Sequence, residues 1–326
     1  MANAVRWGIL GSAKFAFEHM APAIHSAARG QLVALASASP DKAAKFSERF
    51  PGLALHGSYE ALLADPGIDA VYIPLPNHLH VTWAKKAAQA GKHVLCEKPM
   101  AMKAAEFDDL IALRDSTGLL MAEAYMIVHH PQWQRAREWV HGGEIGDLVQ
   151  VDTVFSYNNA ADGGNIRNRA ETGGGAIPDI GVYTFGATRF VTGQEPTQIL
   201  SANVTWENGV DVWSHVTAAF DDFHMMAVNS MRMQPRQEIT FQGTKGLVRL
   251  PVPFNAGVFG EAQVQLHRAG QASVIERYPN VNQYVLQVEA FNRAVLDGAR
   301  YACPLEFSKG TQAMIDMVYA KAARPE

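Results

Sequence analysis

Two short stretches of the chain combine side chains that can hold, donate or stabilise a proton. The first runs from His93 to Met100, where the apolar residues Val94 and Leu95 lead through Cys96 to Glu97, Lys98 and Pro99. At the carboxyl end of a buried strand, the Lys98 ammonium could donate to a substrate oxygen. Pro99 would fix the direction of the turn, which is what a pre-organised site requires. Glu97 would either orient the lysine or cap the next helix. An isolated Glu-Lys pair is more often a solvated turn, so this stretch alone decides nothing. The second runs from Glu171 to Phe190: Gly173, Gly174 and Gly175 precede an apolar segment carrying Asp179 and, four residues on, Tyr183. Residues at i and i+4 share a helical face, so carboxylate and phenol would point the same way. The glycines let backbone approach closely, and Gly181 keeps the face between the two open.

Further polar residues sit where strands should end. Gly8-Ile9-Leu10-Gly11-Ser12-Ala13-Lys14-Phe15-Ala16 follows a first strand and opens a first helix. Gly11, Ala13 and Ala16 occupy the three small-residue positions of a dinucleotide fingerprint, with alanine at the middle one. The turn Gly11, Ser12, Ala13, Lys14 and Phe15 is therefore a candidate pyrophosphate site on a helix N-terminus. An acidic residue ending the second strand would bind the ribose hydroxyl of NAD; this chain has Ser37 there and no carboxylate before Asp41. Ser37 can hydrogen-bond a phosphate and Lys42 can reach it as a point charge. The reading is NADP, with NAD open. Pro74, Asn77 and His78 in the stretch Ile73 to His80 stand at another strand end, where ligands bind in parallel sheets. His78 and His80, one residue apart, suit a helix start after Asn77 better than joint metal ligation, and no metal is expected.

These residues need elements to position them. Strands are expected at Val5–Leu10, Leu32–Ser37, Ile68–Pro76, His93–Pro99 and Leu119–Tyr125. Helices are expected at Phe15–Ala28, Asp41–Phe50, after Ser58, at Asn77–Ala90 and at Ala104–Asp115. Repeated β-α-β with near-continuous apolar strands argues for a parallel sheet covered on both faces. After about residue 125 the pattern changes to a helix at Gln132–His141 and several segments alternating with period two, as in a sheet with one wet face. Two helices, Gln283–Asp297 and Lys309–Ala323, close the chain. The fold class is α/β: a Rossmann doubly wound sheet over residues 1–125, then an α+β domain with a large open, mostly antiparallel sheet over residues 126–326.

The 326 residues exceed the usual single-domain size, and 48% hydrophobic with 18% charged residues is ordinary for sizeable cores. A net charge of −4 with interspersed signs gives no footprint for nucleic acid or a membrane surface. Cys96 and Cys303 lack metal or redox spacing and read as structural thiols in a reducing compartment. The N-terminal stretch reads as a strand and not as a signal peptide, and the expected location is cytoplasmic.

Taken together, the motifs around Gly11, Pro74–His80, Cys96–Met100, Glu123–Trp133 and Gly173–Phe190, in that order along nearly the whole chain, resemble the glucose–fructose oxidoreductase / inositol dehydrogenase (Gfo/Idh/MocA) family. The resemblance implies a catalytic group of Lys98, Asp179 and Tyr183. Tyrosine at 183 is similar to the branch containing NADP-dependent xylose dehydrogenases, dimeric dihydrodiol dehydrogenases and a sugar–sugar oxidoreductase that retains its NADP. Ala13, Ala38 and Val128 stand where many relatives have glycine, arginine and arginine. The implied reaction moves hydride between nicotinamide and a carbinol carbon of an aldose, polyol or cyclic diol, with one group moving the hydroxyl proton. Tyr183 is the candidate, beside Lys98, although the roles could be exchanged; free phenols titrate near ~10 and a neighbouring ammonium favours phenolate. Asp179 would hold Lys98 in place. Glu97 and Lys98 would also contact the cofactor, while Tyr157, Arg167, Arg169 and His130 are candidates for binding substrate hydroxyls. A non-catalytic NADP-binding sensor is the competing reading from another class; it predicts loss of the lysine, aspartate or tyrosine, and all three are present. The open sheet implies a homodimer or homotetramer.

Overall fold

The computed structural model describes residues 3–323. The chain forms two units, one from the chain up to Met126 together with Gln283–Ser308, the other from Ile127–Asn282 and the chain from Lys309 onward.

In the first unit, strands β1 (Val5–Leu10), β2 (Gly30–Ala36), β3 (Ala54–His56), β4 (Ala70–Ile73), β5 (His93–Cys96) and β6 (Met121–Glu123) form a six-stranded sheet in the order β3-β2-β1-β4-β5-β6. All neighbours pair in parallel. The order reverses between β1 and β4, so the crevice at their carboxyl ends is the switch point where parallel sheets bind ligands. The inner strands β1, β4 and β5 are almost continuously buried because helices cover both faces. The first expected helix forms in two pieces, a π turn at Ala16–Met20 and helix α1 (Ala21–Ser26). Helix α2 (Pro40–Arg49) is capped by Ser39 with proline in its first turn, and α3 (Tyr59–Leu63) by Ser58, as the capping chemistry of serine dictates. Asn77–Leu79 forms a 3₁₀ turn leading into α4 (His80–Gln89), and α5 (Glu106–Thr117) follows β5.

In the second unit, α6 (Pro131–His141) precedes β7 (Leu148–Asn158), α7 (Val182–Thr192), β8 (Gln198–Glu207), β9 (Val210–Ala219), β10 (His224–Ser230), β11 (Arg232–Gly243), β12 (Gly246–Leu250), β13 (Ala262–Arg268) and β14 (Val274–Tyr278). These strands form one sheet in the order β14-β13-β12-β11-β7-β10-β9-β8. Every pair is antiparallel except β7 with β10, so the sheet is mixed. Along β9, buried Ser214, Val216 and Ala218 alternate with the half-exposed Trp213, His215 and Thr217, one covered face and one open. Helix α7 is buried along its whole length; its polar residues are kept inside, with the Thr188 and Thr192 hydroxyls donating to carbonyls four residues back and Arg189 paired with Glu195. The short edge strands β3 and β14 lie outside the expected set; their mostly exposed residues carry no burial alternation to read.

Helix α8 (Gln283–Asp297) follows the second sheet in the chain, and its position assigned it to a domain 126–326. It packs in the first unit instead, with Phe291 against Trp7 at 4.8 Å between ring centroids and Trp7 Nε1 donating to Asn292 Oδ1 at 3.0 Å. Helix α9 (Leu305–Lys321) spans the last division between units, at Ser308/Lys309. Among the described residues, no helix is long and apolar enough to cross a membrane.

Candidate active site

In the first unit, the turns after β1, β4 and β5 carry the polar candidates at the carboxyl edge of the sheet. Gly11 has φ +113°, a conformation L side chains rarely adopt, and a Cβ there would lie 3.0 Å from Leu75 Cδ2 in the loop after β4. Glycine is needed because two strand-end loops close on it. Ser12 and Ser37 share a hydrogen bond of 2.8 Å between hydroxyls, which ties the turn after β1 to the end of β2. The Ser37 hydroxyl also accepts from Ser39 N–H at 3.1 Å, so it is part of a local serine turn. Ser39 Oγ caps α2 by accepting from Lys42 N–H. Lys14 is highly exposed and lies 3.7 Å from Glu18, and Phe15 stacks edge-on against Tyr284 at 5.5 Å. Among these residues, serine hydroxyls, one exposed lysine and a helix N-terminus stand where a carboxylate would repel a 2′-phosphate. That donor set fits a nicotinamide dinucleotide phosphate.

The Glu97–Lys98 turn follows β5, and its Lys98–Pro99 peptide is cis. Glu97 Oε1 accepts from Tyr72 Oη on β4 at 2.6 Å, and Oε2 accepts from Lys98 N–H at 3.3 Å. Burial, with the Glu97 carboxylate beside it, pushes the Tyr72 phenol well above its usual range. Other carboxylates take the N–H groups beyond the turn: Glu123 accepts from Met100 at 2.8 Å, and Glu106 from Met102 and Lys103 at 2.9 Å each. Glu106, the first residue of α5, thus holds the loop that leads into the helix, and Glu97 is turned to Tyr72 and the Lys98 N–H instead of capping it.

His80 has a larger part than a first-turn residue. Fully buried, its Nδ1 lies 2.8 Å from the carbonyl of Pro99 and its Nε2 2.7 Å from that of Leu75, so one ring spans the loops after β4 and β5. Burial, with the Lys98 ammonium and His78 nearby, pushes its pKa down to about 4. A neutral imidazole carries one N–H and donates to one of these carbonyls at a time. The spacing of two histidines in Asn77–His80 signals none of this; only the return of Pro99 beside them does.

In the second unit, Ile177–Gly181 forms a π turn that runs directly into α7. Such turns are rare and recur at functional sites. Asp179 Oδ2 accepts from Tyr157 Oη on β7 at 2.6 Å, and its Oδ1 pairs with Arg167 Nε at 2.9 Å. Burial first, then the Asp179 charge, raises the Tyr157 phenol well above its usual range, so Tyr157 is a donor here. Tyr157 and Arg167 therefore join Asp179 in one cluster. The Tyr183 ring lies 5.8 Å from both Phe155 and Phe254, which stack on each other at 4.9 Å. This aromatic wall limits how the phenol can turn. Arg169 pairs instead with Glu171, Nη2 to Oε1 at 2.6 Å, on the surface. His130 is wholly buried and caps α6, accepting from Gln132 N–H through Nδ1 at 3.1 Å; burial lowers its pKa to about 4. Among the described residues, no group of three or more His, Cys, Asp or Glu side chains could hold a metal ion.

A parallel sheet with a glycine turn at its switch point, joined in sequence to an α+β unit with an acid–phenol pair, defines a nicotinamide-dependent oxidoreductase. Residues 5–125 match the model of an oxidoreductase family with an NAD-binding Rossmann fold, and residues 133–249 match the Gfo/Idh/MocA C-terminal domain. The chain belongs to the Gfo/Idh/MocA family. It is 34% identical to a dTDP-3,4-didehydro-2,6-dideoxy-alpha-D-glucose 3-reductase from Saccharopolyspora spinosa, covering 97% of this chain and 95% of the relative. It is 33% identical to D-xylose 1-dehydrogenase (NADP(+)) 2 from Haloferax volcanii, covering 97% of each. The crystal structure of KijD10, a 3-ketoreductase from Actinomadura kijaniata in complex with NADP and TDP-benzene, superposes with a TM-score of 0.89 at 30% identity over 98% of both chains.

Proposed function

We propose that this protein transfers hydride between NADP and a carbon of a sugar or sugar derivative that alternates between carbinol and ketone or lactone. The observation that carries the reading is the Asp179 cluster. A carboxylate held by Arg167 and Tyr157 stands one helical turn before Tyr183, in a chain whose whole length resembles sugar reductases and dehydrogenases. NADP is favoured over NAD by Ser37 and the absence of an acidic residue between the end of β2 and Asp41. When bound, the nicotinamide supplies or accepts the hydride. Lys98 hydrogen-bonds the reacting oxygen, and Tyr183 holds or moves its proton, with these two roles open to exchange. Asp179 fixes the local charge by neutralising Arg167. Gly11, Ser12, Ala13, Lys14, Phe15, Ser37, Lys42, Pro74, Asn77, His78 and Glu97 form the cofactor side. Tyr157 and Arg167 are assigned to the substrate side, His130 supports it as a buried helix cap, and Arg169, paired with Glu171 on the surface, is left out of it.

The test is absorbance at 340 nm with NADP or NAD against aldoses, inositols, cyclic diols and, in the reductive direction, dTDP-linked keto sugars, with Lys98→Ala in parallel. Turnover with one sugar class, lowered by on the order of a thousandfold in the variant, is expected. Binding of neither dinucleotide would sink the reading. The open sheet face, with Trp213 and His215 on β9 and the exposed Met226 on β10, favours pairing with a second copy. A monomeric mass by sedimentation at micromolar concentration would remove that part.

A further inference from the structure

The π turn that carries Asp179 begins at a carboxylate from far along the chain. Asp211, on β9, is 1% exposed. It accepts from Ile177 N–H through Oδ2 at 2.7 Å, from Ala176 N–H, and from Tyr319 Oη of α9 through Oδ1 at 2.7 Å. Every one of these donors is uncharged. A buried carboxylate costs heavily unless its oxygens are filled with donors or paired, so it persists only where the surrounding structure demands it. Here the demand comes from a helix start. The first N–H groups of a helix have no partner within it, and its N-terminus carries positive partial charge. The residue that would ordinarily cap it is Gly175, which has no side chain. Its φ is +133°, and a Cβ there would collide with Asp211 Oδ1. Glycine at 175 is thus the complement of aspartate at 211: the backbone is stripped so that the distant carboxylate can reach the helix end. Gly174 is required separately, because a Cβ on it would run into the Arg167 carbonyl, on the residue that pairs with Asp179.

We propose that Asp211 is a positioning residue of the active site: a cap supplied in tertiary structure that fixes the turn bearing Asp179 and so sets where Tyr183 stands. The proposal rests on the function proposed above for Asp179 and Tyr183, but the cap itself can be read without turnover. In Asp211→Asn, the NH₂ can turn to the Tyr319 hydroxyl, which can accept, while the remaining oxygen is an uncharged and weaker acceptor for the turn's N–H groups at the same side-chain volume. Hydrogen exchange of the full-length protein should then show amides 176–183 exchanging on the order of fivefold to tenfold faster, with strands β7 and β10 unchanged. The same variant should lower kcat on the preferred sugar while leaving KM for the dinucleotide unmoved, because the dinucleotide turn belongs to the first unit. Should Asp211→Asn not fold, Tyr319→Phe keeps the carboxylate and removes one donor; it should speed exchange of the same amides by a smaller factor. Unchanged exchange at 176–183 in the folded variant overturns the cap. Faster exchange with unchanged kcat overturns the positioning role. If the wild type turns over no substrate at all, it is the hydride-transfer reading that fails, and the exchange rates still decide the cap.

Discussion

The two chemistry-bearing turns of this molecule are built in opposite ways. Lys98 leaves a loop at the end of β5, and that loop is held mainly through its backbone: the Pro99 carbonyl on His80, the Met100 N–H on Glu123. Asp179 and Tyr183 leave a helix, and that helix is held by side chains that arrive from elsewhere, Asp211 on its N–H groups and Tyr157 and Arg167 on the carboxylate. The first turn uses partners from the neighbouring helix α4 and strand β6 of one β-α-β series, the second from a strand and a helix remote in sequence. A loop clamped at its backbone tolerates changes of side chain around it. A helix clamped through one buried carboxylate fails when that carboxylate is disturbed.

Three changes would break or sharpen this contrast. The largest effect belongs to Asp179→Asn, which leaves Arg167 without its counter-charge and puts an amide against the Tyr157 hydroxyl. A loss in kcat on the order of a hundredfold is expected, with dinucleotide KM preserved; a variant that loses cofactor affinity instead would move Asp179 to the cofactor side. Next come the two glycines. Gly175→Ala drives a methyl into a buried carboxylate at positive φ, and chemical denaturation should show a loss of about 2 to 3 kcal/mol. Gly11→Ala meets a leucine methyl, which can yield, and the Tyr59 hydroxyl only at contact distance, so its cost is mainly the positive φ, about 1 kcal/mol, with the main effect on dinucleotide KM. Equal stability losses would contradict the idea that a rigid partner makes the second turn less tolerant.

The smallest effect is on pH dependence. His80 is held down to about 4, below its unfolded value, so the unfolded chain takes up a proton first as pH falls. Its neutral form contributes stability that is full above about 6.5 and is lost between there and about 4, about 3 kcal/mol in all. Burial lowers His93 in the same unit as well, while Glu123, raised by burial, works the other way. In the second unit, His130 loses stability over the same window, but Asp211, raised by burial to about 6, favours the folded state as it takes up its proton. The two roughly cancel. Hydrogen exchange at pH 5 against pH 7, corrected for intrinsic rates, should therefore show β4 and β5 losing more protection than β7 and β9. Equal losses in the two sheets would mean that His80 does not carry this sensitivity.

Much of this architecture was legible because its causes are local. The apolar strands, the proline in the first turn of α2, the Ser58 start of α3, the glycine turn after β1 and the Lys98 turn after β5 each follow from a few consecutive residues, and each stands at the expected place in the fold. The family was readable for the same reason, since its motifs are short and ordered along the chain. Other features could not be read. Asp211 sits in an alternating strand, where a lone carboxylate looks like a solvent-facing residue. His80 looks like the start of a helix, and His130 looks like a hydroxyl ligand until it is found sealed inside the second unit. Helix α8 lies after the second sheet in the chain, yet its buried face matches Trp7 in the first unit.

The sequence by itself determined which residues could do chemistry and which elements carry them, because strand, helix and turn preferences act over distances of a few residues. Only the tertiary structure decided which groups meet: Asp211 with Gly175 and Tyr319, His80 with Leu75 and Pro99, Asp179 with Tyr157 and Arg167. Those pairings depend on buried polar atoms finding partners across long chain separations, a requirement that no local pattern encodes.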